Sequence, residues 1–274
     1  MTTEMQKKRR NNIIWNTILV LILLLIGGGL WYKSTQKTDS WVNVNQRQKV
    51  VIGLDDTYVP MGFRDDKGHL IGYDVELAEA AFKKLGLVAD FQVIDWSMKE
   101  TELITQHIDV IWNGYTKNAE REEKVAFSDP YHETQQVLLV RENGVKNIND
   151  MKDKQLGVQT GSAGLTIFSA EPKVLKDKLK HKPIQYDTFD KAINDLQVGR
   201  LDAVLIDEDY AKYYLATEKL NAKLTTLATN YSKDSYGVGM RKEDKILREK
   251  LNKVLAELKS DGTEARLAEK YFGK

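Results

Sequence analysis

The 274-residue chain has no cysteine, so disulfides, thiolate metal sites and attachment through a lipid-modified cysteine are all excluded. Histidine is scarce. His69, His107, His132 and His181 are scattered without an i, i+4 pair, which leaves neither a metal-site pattern nor a Ser/His/Asp arrangement. Charge of one sign is missing as well: the formal net charge is +1. Residues 1–33 hold Lys7, Lys8, Arg9, Arg10 and Lys33 against Glu4, leaving 36 basic and 39 acidic residues beyond them. That balance gives nucleic acid nothing to hold. The acidic run Asp207-Glu208-Asp209 lacks the glycine of a calcium loop. In Gln159-Thr160-Gly161-Ser162-Ala163-Gly164, Thr160 stands where a nucleophile elbow needs its first glycine. No metal, no cofactor and no catalytic set is expected.

With 42% hydrophobic and 30% charged residues, the chain is mixed enough to fold and long enough for one large domain or two lobes. Its one long apolar run, residues 13–32, follows the basic cluster 7–10 and is interrupted only by Asn16 and three glycines. Twenty such residues span a hydrocarbon core of roughly 30 Å as a helix. The basic cluster puts residues 1–12 in the cytoplasm and the rest outside. An uncleaved transmembrane anchor is expected. Cleavage as a signal remains the alternative, because Ser34-Thr35 follows the bulky Leu30-Trp31-Tyr32-Lys33.

Residues 33–48 are polar and without periodicity, and read as a linker. Strands and helices then alternate. The expected strands include 50–54, 89–95, 108–113, 135–140, 155–159, 183–187, 201–207 and 235–240. The expected helices cover 73–85, 99–106, 191–199, 209–219 and 244–260, the last with an apolar face of Ile246, Leu247, Leu251, Val254, Leu255 and Leu258. Such alternation predicts α/β architecture with largely parallel sheets.

Two segments carry chemistry. IDVIWNGYTKNAER (108–121) is a β-branched run that ends at Asn113-Gly114 and then offers the Thr116 hydroxyl and the Arg121 guanidinium. LDAVLID (201–207) is a second buried run, ending in Asp207. Arginine forks match carboxylates and an aspartate accepts from an ammonium, so the pair suits a zwitterion such as an α-amino acid. Each residue also has a plain alternative. Arg121 reads equally as a solvated surface residue, Asp207 as a helix cap, 159–164 as an ordinary helix start, and Asp55 as a turn cap. Tyr58 and Trp96 read as core aromatics.

The order and spacing of several motifs resemble the polar amino-acid family of extracellular solute-binding proteins (family 3), which serve ABC importers. They are DDTYVPMGF (55–63), GHLIGYDVELAEA (68–80), Trp96, the 108–121 block with VAFSDPY (125–131), LGVQTGS (156–162), GRLDAVLID (199–207) and the ending 240–273. The likeness runs from about Val50 to the C-terminus.

This resemblance implies a bilobed periplasmic-binding-protein-like fold of two α/β lobes joined by two hinge crossings, near Val137–Arg141 and Lys233–Val238. The first lobe would comprise 49–138 and 236–274, and the second 139–235. It also implies roles. Arg121 and Thr116 hold the ligand α-carboxylate with backbone donors near Ser162 and Ala163. Gly114 and Asp207 meet the α-ammonium, and Asp55, Tyr58, Trp96, Gln159 and Ile206 line the side-chain pocket. The function implied is a monomeric, membrane-tethered, extracytoplasmic receptor, not an enzyme, that delivers a glutamine- or cystine-like or weakly basic amino acid to an ABC permease. The alternatives are an amino-acid sensor and a dehydratase-type enzyme on the same fold.

Overall fold

The computed structural model describes residues 15, 17, 21, 38–217 and 223–273. Two sheets of the same design dominate residues 40–273. The first runs in the order Val88–Val93, Lys49–Leu54, Val110–Ile111, Gly239–Met240, Ala126–Phe127. Its first three strands are parallel, and the late strand Gly239–Met240 enters antiparallel. The second is ordered Ile184–Tyr186, Leu156–Gln159, Ala203–Asp207, Gln136–Arg141, Leu224–Ala228, again with three parallel strands followed by antiparallel ones. The central strands, buried on both faces, are the β-branched runs that the sequence shows: Ala203–Asp207 is buried at every residue.

Helices cover the sheets because their apolar stripes require it. Tyr73–Lys84 buries Val75, Leu77, Ala78, Ala81 and Phe82 at helical spacing, with acids in its first turn and lysines in its last, as the helix dipole favours. Gly72 before it has φ +141, and a Cβ there would lie 2.2 Å from the Met61 carbonyl oxygen, so only glycine serves. The long helix Lys245–Ser260 buries Leu247, Leu251, Val254, Leu255 and Leu258, whereas Ile246, expected on that face, is exposed. Thr263–Phe272 packs on it and on Tyr73–Lys84.

Several expected boundaries move. Val137–Arg141, expected as a crossing, lies within the strand Gln136–Arg141 of the second sheet; Val137, Leu138, Leu139 and Val140 are apolar because that sheet buries them. The chain crosses earlier. His132–Thr134 pairs antiparallel with Asp234–Tyr236 as a separate two-stranded ribbon. The expected strand 235–240 is accordingly two strands, interrupted at Gly237-Val238, one half in the ribbon and one in the first sheet.

The 33–48 linker is also not wholly a linker. Trp41–Arg47 is a helix with Val44 fully buried, the Lys250 ammonium lies 4.6 Å from the Trp41 ring centroid, and Ser40 N–H donates to Asp244. Of the seven residues only Val44 is buried, and the exposed Val42 beside it blurs any period, which is why the sequence hides the helix. The helix expected over 209–219 is described as Glu208–Thr217. The segments 1–12 and 13–32 lie outside the described residues except at Trp15, Thr17 and Leu21. Among the described residues no helix is long and apolar enough to cross a membrane.

One buried carboxyl ties a helix to the first sheet's edge. Asp74 Oδ2 accepts from Gly114 N–H at 2.6 Å and from the Tyr131 hydroxyl at 2.9 Å, and burial pushes its pKa up to about 7. Unfolded, it ionises near its ordinary value of about 3.9, so the folded chain keeps a proton that the unfolded chain has lost. Its contribution is therefore full below about pH 4 and is lost as pH rises towards 7. Asp74→Asn should flatten that segment of the stability profile, reducing the loss between pH 4.5 and 7.5 by on the order of 3 kcal/mol. Urea unfolding of both proteins at the two pH values checks it; parallel profiles would show that Asp74 does not titrate in this window.

Candidate functional site

In an open parallel sheet the carboxyl ends of the strands are where ligands sit. Here six such ends, three from each sheet, point residues at one small, partly open cavity of about 10 Å³, room for roughly one water with the two sheets this close. Lys49–Leu54 leads to Tyr58, Val88–Val93 to Trp96, and Val110–Ile111 to Gly114, Thr116 and Arg121. From the other sheet come Gln159 with Ser162 and Ala163, then Phe189, then Asp207. Nine of the eleven expected residues thus line one cavity, the exceptions being Asp55 and Ile206.

Arg121 is 3% exposed. Asn118 caps its short helix, accepting from Arg121 N–H at 3.0 Å. The guanidinium lies 4.5 Å from the Tyr115 ring centroid and donates to two carbonyls, Thr116 at 2.9 Å and Gly161 at 3.0 Å. Gly161 belongs to the opposite sheet's loop, so this bond spans the cleft. A guanidinium has five N–H donors, and two are used here. Gly114 has φ +55, and a Cβ would fall 2.6 Å from the Tyr58 ring, so the turn admits only glycine. Thr116 is 1% exposed and bridges in antiparallel fashion to Tyr236.

Asp207 is 4% exposed at the end of its strand. Gln136 Nε2 donates to it at 2.7 Å, and the hydroxyls of Tyr58 and Tyr236 also hydrogen-bond to it. Its pKa is nonetheless raised, because burial outweighs those bonds. The same burial, with the Asp207 charge beside them, pushes both tyrosines well above their ordinary value. A second acid, Asp234, has its pKa pushed up to about 6 by burial and by the Asp207 charge.

The loop 159–163 behaves as a nest. Thr160 N–H is taken by the Tyr186 carbonyl, Gly161 adopts φ +70, and Ser162 Oγ caps the helix Ala163–Ala170 through Leu165 N–H at 3.1 Å. The serine hydroxyl oxygen is thus committed to the helix and Ser162 N–H to the Gln159 carbonyl at 3.2 Å, so the N–H of Ala163 at the head of the helix is what the loop presents.

The side-chain end differs from expectation in three ways. Asp55 stands behind the wall: it accepts from Thr57 N–H and Oγ1 at 2.9 and 2.7 Å and from Gln159 Nε2 at 3.0 Å. It is therefore both the turn cap and a pocket support, with burial raising its pKa. Gln159 also donates to the Asp187 carbonyl at 2.9 Å, so both of its amide hydrogens are committed. Ile206 is fully buried in the core, because its strand alternates and Asp207 takes the cavity side.

Phe189, missed in the sequence, begins a helix and stands 6.0 Å from the Tyr58 ring centroid. It reads as core until the strand-end rule is applied to Ile184–Tyr186. Lys99 was also missed. It is 2% exposed with its ammonium 5.1 Å from the Trp96 ring centroid, and burial lowers its pKa to about 7. At the head of a charged helix, nothing in the sequence marks it as buried.

Known proteins resemble this chain in sequence and in fold. Residues 50–274 match the family described as bacterial extracellular solute-binding proteins, family 3. The L-cystine-binding protein of Escherichia coli (strain K12) is 32% identical over 234 residues, which cover 84% of this chain and 85% of that protein. An ABC uptake transporter substrate-binding protein from Streptococcus pneumoniae, solved with bound histidine, superposes with a TM-score of 0.84 at 40% identity, covering 86% of this chain and 97% of that one. An ancestral arginine-binding protein bound to arginine gives 0.75 at 37% identity, covering 82% and 99%.

Proposed function

The chain belongs to the bacterial extracellular solute-binding proteins, family 3, and on that premise we propose that it captures a polar amino acid outside the cytoplasm and passes it to an ABC permease. The observation that carries the reading is the small cavity lined by a buried guanidinium from one lobe and a buried carboxylate from the other. A zwitterion satisfies both. Its α-carboxylate takes the free N–H donors of Arg121, the Thr116 hydroxyl and the backbone N–H of Ala163; its ammonium takes Asp207 and the Gly114 carbonyl. Each charge is then paired on leaving water. The protein acts as a monomer that closes about the ribbon His132–Thr134/Asp234–Tyr236, with the two sheets as the cores of its lobes. It binds and releases its ligand unchanged.

The side chain of the ligand meets Tyr58, Trp96, Phe189 and Gln159, with Asp55 behind. Lys99 is the nearest further cation, and its donors are held by the Trp96 and Gly161 carbonyls. That supports a neutral or weakly basic side chain such as that of glutamine, cystine or histidine, with aromatic rings on the aliphatic stem. Residues 13–32 anchor the chain in the membrane with the binding lobes on the outer side.

Arg121→Ala should weaken amino-acid binding by on the order of a hundredfold or more, since removing one partner of a buried pair costs about 3–5 kcal/mol. Calorimetry on the detergent-solubilised chain measures it; a folded variant within tenfold of wild type removes Arg121 from the clamp.

Glutamine, cystine or histidine should each bind more tightly than glutamate, whose second carboxylate would lie desolvated near Asp55 at a cost of several kcal/mol. Competition among these four decides it. Glutamate as the tightest would show a cation free to serve the side chain.

Protein taken from native membranes should begin upstream of Gly29. N-terminal sequencing that finds a start between Gly29 and Ser40 would make the apolar run a cleaved signal.

A further inference from the structure

A lysine side chain is buried at the seam where the two lobes meet. Lys99 opens the helix Lys99–Ile104 on the first lobe. Its Nζ donates to the Trp96 carbonyl at 3.1 Å, on its own side, and to the Gly161 carbonyl at 3.0 Å, across the cleft. The packing there is close: a Cβ on Gly161 would stand 3.2 Å from both Lys99 Nζ and Ser97 Cα. The turn reaches the first lobe only because its residue has no side chain.

We infer that Lys99 is a positioning residue for ligand capture, tying the Gly161 turn to the first lobe as the cleft shuts and so aiming the backbone N–H of Ala163 at the ligand carboxylate. The inference rests on the two-lobed capture proposed above. Arg121 also reaches the Gly161 carbonyl, but its donors are shared with Thr116 and the ligand carboxylate, so Lys99 supplies a second tie for which no ligand competes. Lys99 touches no ligand and is free to hold the turn throughout.

The chemistry has a consequence for protons. With the lobes apart, the lysine faces water and keeps its ordinary pKa. With the lobes together it is desolvated beside Arg121 and, further off, Lys124, with Glu100 Oε2 at 3.4 Å opposing, and its pKa falls to about 7. A neutral amine still has two N–H donors, one for each carbonyl. Closure therefore sheds a proton between about pH 7 and the ordinary lysine value, and capture strengthens as pH rises through that window.

The test titrates L-histidine, L-glutamine, L-arginine and L-cystine into the full chain, its Lys99→Met variant and its Lys99→Gln variant at pH 6.5 and 8. Lys99→Met should bind whichever of them the wild type binds on the order of tenfold more weakly. Wild-type affinity should rise about eightfold between the two pH values, beyond any rise in Lys99→Gln, which cannot titrate there. A purely structural lysine would lower thermal stability in both variants and leave the pH profiles parallel.

Lys99→Met within twofold of wild type, or a Lys99→Gln profile parallel to wild type, overturns the inference. If none of the four binds, the amino-acid reading fails separately. Amide exchange of residues 160–163 in the ligand-free proteins then decides Lys99: faster exchange in Lys99→Met supports the tie, and equal exchange overturns it.

Discussion

Two opposite charges are kept out of water on facing sides of one cavity, and they do not touch. Arg121 is 3% exposed and Asp207 4%, and among the described residues neither forms an ion pair within 4 Å. Burying unpaired charge is costly, so each must be satisfied by neutral groups. Backbone carbonyls do this for Arg121. The Gln136 amide and two phenols do it for Asp207. Much of the local backbone follows from that need. Gly114 must be glycine so that Tyr58 can lie against it, and Gly161 must be glycine so that its carbonyl can approach both Arg121 and Lys99. Asp74, in turn, holds the Gly114 N–H and fixes the direction of that turn.

The polar termini of the site were legible in the sequence because they combine a strong pattern with an unusual ending. A β-branched run that stops at Asn113-Gly114, or at Asp207, announces a buried strand whose end faces something polar. Phe189 and Lys99 carried no such mark. An aromatic at the head of an amphipathic helix is normally core, and a lysine at the head of a charged helix is normally solvated. Only the meeting of the two sheets makes them special, and that meeting is a long-range fact. The helix Trp41–Arg47 was hidden for a related reason: its docking depends on Asp244 and Lys250, some two hundred residues away. Of the two expected crossings, Val137–Arg141 is a sheet strand because Val137–Val140 is an apolar run, and apolarity fits a buried sheet strand better than an exposed connection.

The ribbon that joins the lobes is also part of the site. Tyr236 lies on its strand Asp234–Tyr236, yet its hydroxyl is 3.2 Å from that of Tyr58 and hydrogen-bonds to Asp207. Thr116, beside Arg121, bridges to the same Tyr236 backbone. On the partner strand, His132 reaches Asp209 on the second lobe at 2.9 Å and stacks on Phe272 of the first at 4.8 Å between ring centroids. Arg121 and Asp207 are thus each linked to the ribbon, one through Thr116 and the other through the Tyr236 hydroxyl. That linkage has a physical origin. A cleft formed where six strand ends converge leaves its two crossing strands nowhere to run except along the cavity's edge.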